Sequence, residues 1–302
     1  MKKNLIVVTG GAGFVGSNLI SSLVEKTKYK IISIDNYSSG IKNNHIHHKN
    51  VEYIKGDTKN ISLLLKKYKL KIETIFHFGE FSRIYQSFLK FNQCIESNLI
   101  GTQEVFNFCL KNKIKLIYSA TSASLGNKGS DKNLSPYAFS KAKNLELLEN
   151  LNIWFNMKFE IIYFYNVYGP KQICKGDMAT VVGIFENQYI RKKPLTVVKP
   201  GTQSRRFTHI FDTINICLYA WKKNKCRHYS ISNKESYTIL DVAKMFSSKI
   251  KLLPSRRGER YASALTNINL SNKVYRHYGN IKLRDYIKNF TKIVNNAVKF
   301  DQ

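Results

Sequence analysis

Near its amino end the chain runs Leu5-Ile6-Val7-Val8-Thr9 into Gly10-Gly11-Ala12-Gly13-Phe14-Val15-Gly16, then into Ser17-Asn18-Leu19-Ile20-Ser21-Ser22-Leu23-Val24. An apolar run of strand length, a glycine-rich turn and a helical pattern in direct succession leave few folds open. Glycines at 10, 13 and 16 let the backbone turn tightly and let a phosphate approach the helix N-terminus, where unpaired N–H groups attract anions. A glycine-rich turn alone is weak evidence. Between a strand and a helix it predicts a pyrophosphate site made by Gly10, Gly13, Phe14, Val15 and Gly16.

The next strand pattern, Lys30-Ile31-Ile32-Ser33-Ile34, ends at Asp35, 19 residues beyond Gly16, with Asn36 after it. An acid there accepts hydrogen bonds from both ribose hydroxyls and repels a 2′-phosphate, so it selects NAD over NADP. A third strand, Val51–Lys55, leads to Gly56-Asp57-Thr58, at the edge where an adenine would lie. There follow a helix over Thr58–Tyr68, a strand over Thr74–Phe78, and a segment His77–Arg83 crossing the top of the sheet with Phe78, Gly79, Ser82 and Arg83. A long helical stretch contains Asn98-Leu99-Ile100-Gly101-Thr102 and ends near Asn112. The strand Ile114–Tyr118 then terminates in Ser119-Ala120-Thr121-Ser122-Ala123. This alternation predicts an α/β fold: a doubly wound (Rossmann) parallel sheet with right-handed crossovers.

Further on stands Ser135-Pro136-Tyr137-Ala138-Phe139-Ser140-Lys141. Proline suits the first helical turn, and the apolar spacing after it continues a helix. Tyr137 and Lys141 thus share one helix face, one turn apart. A free phenol ionises near pH 10, and lowering that to near 7 requires ~4 kcal/mol of preference for the phenolate. The Lys141 ammonium and a cationic cofactor ring are the expected sources of that preference.

Composition narrows the function classes. The 302 residues, 43% of them hydrophobic, can bury a sizeable core. No apolar run reaches the length of a membrane span, and the first is too short for a signal-peptide core. Five scattered cysteines without a C-x-x-C pair read as reduced, and a cytoplasmic location is expected. Against 20 acids stand 49 Lys and Arg, a net charge of +29. The lysines are spread along the whole chain, and the accompanying Asn and Ile point to A/T-rich codons. A general pull on anionic substrates is expected, with no dedicated nucleic-acid site. The loop histidines His45, His47 and His48 have no acid or cysteine at ligand spacing and read as solvated, so no metal is expected.

In this order the motifs resemble the extended short-chain dehydrogenase/reductase family, specifically its nucleotide-sugar epimerases and dehydratases. The matching runs continue through Phe164-Tyr165-Asn166-Val167-Tyr168-Gly169-Pro170, Ser204–Asp212 and Pro254–Glu259, covering nearly the whole chain. The resemblance implies Tyr137 as general base and acid, Lys141 at the nicotinamide ribose, and Thr121 on the reacting sugar oxygen. It places Ser119 and Tyr165 with the NAD-binding residues, Ser82 and Arg83 with the substrate, and Asn166, Arg205 and Arg256 on a nucleotide diphosphate. Three departures, Tyr163, Arg206 and Leu125, are expected around the sugar pocket.

Residues 1–165 and 210–232 are expected to bind NAD, with 166–209 and 233–302 forming a smaller, interleaved substrate domain. Ser122 and Ala123 stand where a 4,6-dehydratase carries an Asp-Glu pair, which argues for a UDP-hexose 4-epimerase of the UDP-glucose/UDP-galactose kind. A UDP-glucuronate decarboxylase-like member, or another sugar-modifying member such as a dehydratase or reductase, is the alternative, and a catalytically idle regulator is disfavoured by the retained Thr121, Tyr137 and Lys141. Relatives of this kind dimerise through helices near 90–112 and 136–152, so a homodimer is expected; Phe91, Ile95, Leu99, Phe106, Leu145 and Leu148 form apolar faces there.

Overall fold

The computed structural model describes residues 3–124, 132–256 and 274–300. Strands β1 (Leu5–Thr9), β2 (Lys30–Asp35), β3 (Val51–Lys55), β4 (Ile72–His77), β5 (Lys115–Thr121) and β6 (Phe159–Phe164) form a parallel sheet in the order β6-β5-β4-β1-β2-β3. The order reverses between β4 and β1. The strand ends therefore splay at that point and open a crevice above Gly10.

Both faces of the sheet are covered, which is why its strands read as continuous apolar runs. On one face Val7, Ile34, Ile75 and Leu116 pack with Val105, Phe106 and Leu148 of the helices Thr102–Lys111 and Pro136–Phe155. On the other, Ile6, Val8, Phe76 and Ile117 meet Leu19, Ile20 and Leu23 of helix α1 (Phe14–Lys26) and Ile214 and Cys217 of the helix Ile210–Trp221.

The segment after β6 leaves the sheet and comes back to it. The helix Ile210–Trp221 returns the chain, and His228–Ser232 pairs parallel with β6. Val274–Tyr278, which the sequence reading grouped with the substrate domain, pairs with His228–Ser232 as the eighth strand of the same sheet. A separate small core gathers Val182, Phe185, Leu195, Val197, Phe207, Val242, Phe246, Leu283 and Ile287.

Several elements are shorter than their periodicity suggested. The segment from Thr58 holds one 3-10 turn and a helix of Ile61–Leu64 only. The long helical stretch expected to contain Asn98 and end near Asn112 is interrupted by a π-helical turn, Glu96–Gly101. There the buried Asn98 side chain accepts from Phe81 N–H (2.6 Å) and donates to Phe81 C=O (3.0 Å) and Ser140 Oγ (3.2 Å). Gly101 lies so close to Thr58 that a Cβ there would sit 2.3 Å from its hydroxyl. Polar satisfaction of the crossing segment and close helix approach thus override helical periodicity. Of the apolar helix positions, Phe106, Leu145 and Leu148 are core, whereas Phe91 is exposed.

Candidate active site

The glycine turn is shaped by contacts that admit no side chain. Gly10 has φ +70°, and a Cβ on it would lie 2.8 Å from Gly79 N. A Cβ on Gly16 would lie 2.2 Å from the Gly10 carbonyl oxygen. Gly13 precedes α1 and contributes no side-chain cap, so the first-turn N–H groups are available to a ligand. This cradle fits a dinucleotide pyrophosphate.

The turn opens into a cavity of about 530 Å³. Around it stand Gly10, Gly13, Phe14, Val15, Gly16, Asp35, Asn36, Thr58, Phe78, Gly79, Ser119, Thr121, Tyr137 and Lys141, with Ser82, Arg83, Asn166, Arg205 and Arg256 towards the smaller core. Asp35 is buried at the end of β2 and accepts hydrogen bonds from Ala12 N–H (2.9 Å) and Tyr37 N–H (2.8 Å). Burial pushes its carboxyl up despite those bonds, as expected of an anion waiting for further donors.

Helix Pro136–Phe155 begins as its sequence demands. Ser135 Oγ accepts from Ala138 N–H (3.1 Å), Pro136 takes the first position, and Tyr137 and Lys141 both face the cavity. The Tyr137 phenol is hydrogen-bonded to the Thr121 hydroxyl, and Thr121 Oγ1 also accepts from Ala123 N–H (3.1 Å). Strand end and helix start are thereby fixed relative to each other.

The electrostatics of this pair differ from the expectation. Burial pushes the Tyr137 phenol up to about 12; the Thr121 bond and Arg83 pull it down, while Glu80 pushes it further up. The Lys141 ammonium does not offset this, because it is turned to another partner. It forms a buried ion pair with Glu80 Oε2, donates to the Ser119 carbonyl, and lies 4.6 Å from the centre of the Tyr118 ring. Of the two sources expected for an acidic phenol, the Lys141 ammonium is thus directed at Glu80, and the cationic cofactor ring is the one that would remain.

Behind the pair runs a directed chain of hydrogen bonds. Gly79 N–H donates to Thr9 Oγ1 (3.1 Å), and Thr9 to His77 Nδ1 (2.7 Å). His77 Nε2 contacts Thr102 Oγ1 (2.9 Å), and Thr102 donates to Glu80 Oε1 (3.1 Å). Because a carboxylate only accepts, Thr102 must donate to it, and the partners then assign the histidine proton to Nε2. Burial lowers His77 to about 4, so the ring is neutral.

Some sequence-predicted residues lie elsewhere. Tyr165 is not on the cavity: it is buried in the sheet core, its hydroxyl accepting from Ser230 Oγ (3.0 Å). Phe164, one residue earlier on the alternating strand, takes the cavity position and packs edge-on to Phe78. Asp57 also stays off the cavity wall. It caps the turn after β3 by accepting from Lys59 N–H (3.0 Å) and takes a bond from Asn36 Nδ2 (3.1 Å).

Nor do the departures Tyr163 and Arg206 line the cavity. Tyr163 is stacked on His228, with 3.0 Å between its hydroxyl and Nδ1. Arg206 lies on a short strand paired with Ser236. Leu125, Gly126 and Arg257–Glu259 lie outside the described residues.

Towards the smaller core, Asn166 (φ +36°) donates to the Arg206 carbonyl (2.8 Å), and Arg256 lies 5.2 Å from the Tyr85 ring centre. Arg83 donates to the carbonyls of Ser82 and Met178. Sequence reasoning passed over Glu80, whose only signal was an acid in an apolar segment between Gly79 and Phe81. His45 is stacked on Tyr53 at 3.7 Å, and among the described residues no cluster suited to a metal ion is found. Among the same residues no helix is long and apolar enough to cross a membrane.

Residues 6–232 match the model of the NAD dependent epimerase/dehydratase family. UDP-glucuronic acid decarboxylase 6 of Arabidopsis thaliana is 27% identical over 264 residues, 82% of this chain and 74% of the relative. The UDP-glucose 4-epimerase of Thermotoga maritima, solved with UDP-glucose, superimposes with a TM-score of 0.84 at 22% identity, covering 97% of this chain and 99% of that one. The UDP-glucuronic acid 4-epimerase of Bacillus cereus, solved with UDP-glucuronic acid and NAD, has a TM-score of 0.79 at 25% identity, with 97% and 99% coverage.

Proposed function

Because the chain belongs to the NAD dependent epimerase/dehydratase family, we propose that it is a nucleotide-sugar 4-epimerase acting on a UDP-hexose. The observation that carries this reading is the convergence of Thr121, Tyr137 and Lys141 with the glycine cradle and Asp35 on one cavity. Bound NAD supplies a hydride acceptor that returns the same hydride, so it is not consumed.

Asp35 and Asn36 would hold the adenosine ribose, the α1 N-terminus the pyrophosphate, and Lys141 the second ribose. Arg205, Arg256 and Asn166 grip the substrate diphosphate, for which a planar guanidinium is well matched. Thr121 orients the sugar C4 oxygen beside Tyr137. As the C4 hydride leaves, Tyr137 takes the hydroxyl proton and a 4-keto sugar forms. For epimerisation the keto sugar would present its other face before reduction, and Tyr137 would return the proton to the new alcohol. Ser122 and Ala123 both line the cavity, and neither can act as the acid or base of a water elimination.

A uronate-accepting or decarboxylating variant is the second reading. It is favoured by Arg83, a cation on the same cavity that among the described residues has no ion-pair partner. The two helices carrying Phe91 and Phe139, both exposed, are the proposed faces of a homodimer.

Incubation with UDP-, dTDP-, GDP- and ADP-sugars, followed by NMR and mass spectrometry of the products, tests these readings. A C4 epimer of unchanged mass is expected, loss of carbon dioxide from a uronate supports the second reading, and a dehydrated sugar refutes both. Tyr137→Phe is expected to abolish turnover with bound NAD retained; undiminished turnover would remove the base.

A further inference from the structure

Among the described residues lining the cavity two are acids: Asp35, and Glu80, which has no part in the reaction drawn above. The Glu80 side chain is 2% exposed and the Lys141 side chain 4%. Burying this carboxylate carries a desolvation cost that an opposite charge and hydrogen bonds must offset. It is bonded from three elements. Lys141 and Asn144 reach it from the helix Pro136–Phe155, Tyr118 Oη (3.0 Å) from β5, and Thr102 Oγ1 (3.1 Å) from the helix Thr102–Lys111. Asn144 Nδ2 stands at 3.4 Å.

We propose that Glu80 is a positioning residue of the redox site: it holds the Lys141 ammonium against the end of β5 and, through its charge, sets the pH range in which Lys141 and Tyr137 work. An ammonium has three donors. One goes to Glu80 and one to the Ser119 carbonyl, while the third has only a long contact, 3.5 Å to Ser119 Oγ, that a ribose hydroxyl could replace. The inference rests on the NAD-dependent reading of the cavity and extends it to a residue that takes no part in proton or hydride transfer.

Glu80 acts on the two partners in a common sense. It opposes the burial that lowers Lys141, keeping the ammonium charged. It also adds to the burial that raises Tyr137. The other groups facing Tyr137 are Thr121 and Arg83, which favour the phenolate, Cys94, which opposes it, and the buried Tyr118 phenol, which Tyr137 helps to raise. Facing Lys141 besides Glu80 are Ser119, the Tyr118 ring and Cys94. His77, on β4, is neutral and faces both groups: Glu80 raises it, Lys141 lowers it, and Thr102 bridges it to Glu80 by hydrogen bonds. Removing the Glu80 charge while keeping its shape therefore moves both titrations to lower pH. The acid limb follows Tyr137 and the alkaline limb follows Lys141.

The test uses the NAD-loaded protein labelled with 13C at the tyrosine Cζ. Tyr137 is assigned by the resonance lost in Tyr137→Phe, and its ionisation is followed by NMR in the wild type, Glu80→Gln and Glu80→Asp. In Glu80→Gln the Tyr137 midpoint is expected to fall by about one pH unit or more. Glu80→Asp, which keeps the charge on a shorter arm, is expected to fall by less, and it serves alone if the glutamine variant does not fold. A midpoint unmoved in every folded variant overturns the proposal. Where turnover is measurable, both limbs of the kcat profile in Glu80→Gln are expected to move acid-ward; a uniform loss of kcat with unmoved limbs means that Glu80 is only structural. The NMR readout needs no substrate, so failure of the epimerase reading leaves a different signature, an absence of turnover with a shifted phenol.

Discussion

Protonating His77 should break the hydrogen-bonded chain behind the active site. The ring is 0% exposed, between Thr9 and Thr102, and burial lowers it from 6.5 to about 4, with Lys141 adding to the fall and Glu80 opposing it. A histidine lowered in the folded state binds its proton more readily in the unfolded chain. Stability from this group is therefore complete above about pH 6.5, rises with pH through the window from about 4 to 6.5, and is lost as pH falls to about 4. The gap is worth about 3 kcal/mol, a large share of the 5–15 kcal/mol typical of a domain. The perturbation is His77→Gln, whose amide can donate to Thr102 and accept from Thr9 without titrating. Urea unfolding of both proteins is measured from about pH 7 to about pH 4, and their difference removes the carboxylates they share. The wild type is expected to be the more stable at pH 7 and to lose about 3 kcal/mol relative to the variant by pH 4. A constant difference across the window, or an imidazole resonance titrating near 6.5, would refute the buried neutral ring.

Gly16→Ala should destroy dinucleotide binding, since its Cβ would meet Gly10 backbone atoms at 2.2 and 2.8 Å; calorimetry that finds NAD affinity unchanged would mean the turn does not hold the pyrophosphate. The associated overpacking should cost about 1–3 kcal/mol of stability, read by urea unfolding. Asp35→Ala should narrow the preference for NAD over NADP, and an unchanged ratio of dissociation constants would remove the acid from the ribose. Tyr165→Phe deletes one buried hydroxyl contact with Ser230 and should cost about 1 kcal/mol with kcat intact, whereas Phe164→Ala should weaken NAD binding; the reverse pattern would put Tyr165 back on the cavity.

Much of the geometry of the candidate site was legible in the chain because its parts are local. A glycine turn between a strand and a helix needs only neighbouring residues to be recognised, and Ser135-Pro136 announces the start of the helix that carries Tyr137 and Lys141. Asp35 was recognisable because it ends a strand at a set distance from that turn. Tyr165 was misplaced for a local reason too: with side chains alternating along a strand, one residue decides between cavity and core, and the motif does not say which.

What order of residues alone could not reveal is pairing across the fold. Lys141 turns to Glu80, 61 positions away, and the expected influence on Tyr137 passes with it. Likewise Val274–Tyr278 joins the sheet only because His228–Ser232 leaves an edge open to it. A backbone turn is set by sterics within a few residues, whereas a buried charge takes whatever opposite charge the packed chain brings within reach, and that partner is chosen only when the helices close on the sheet.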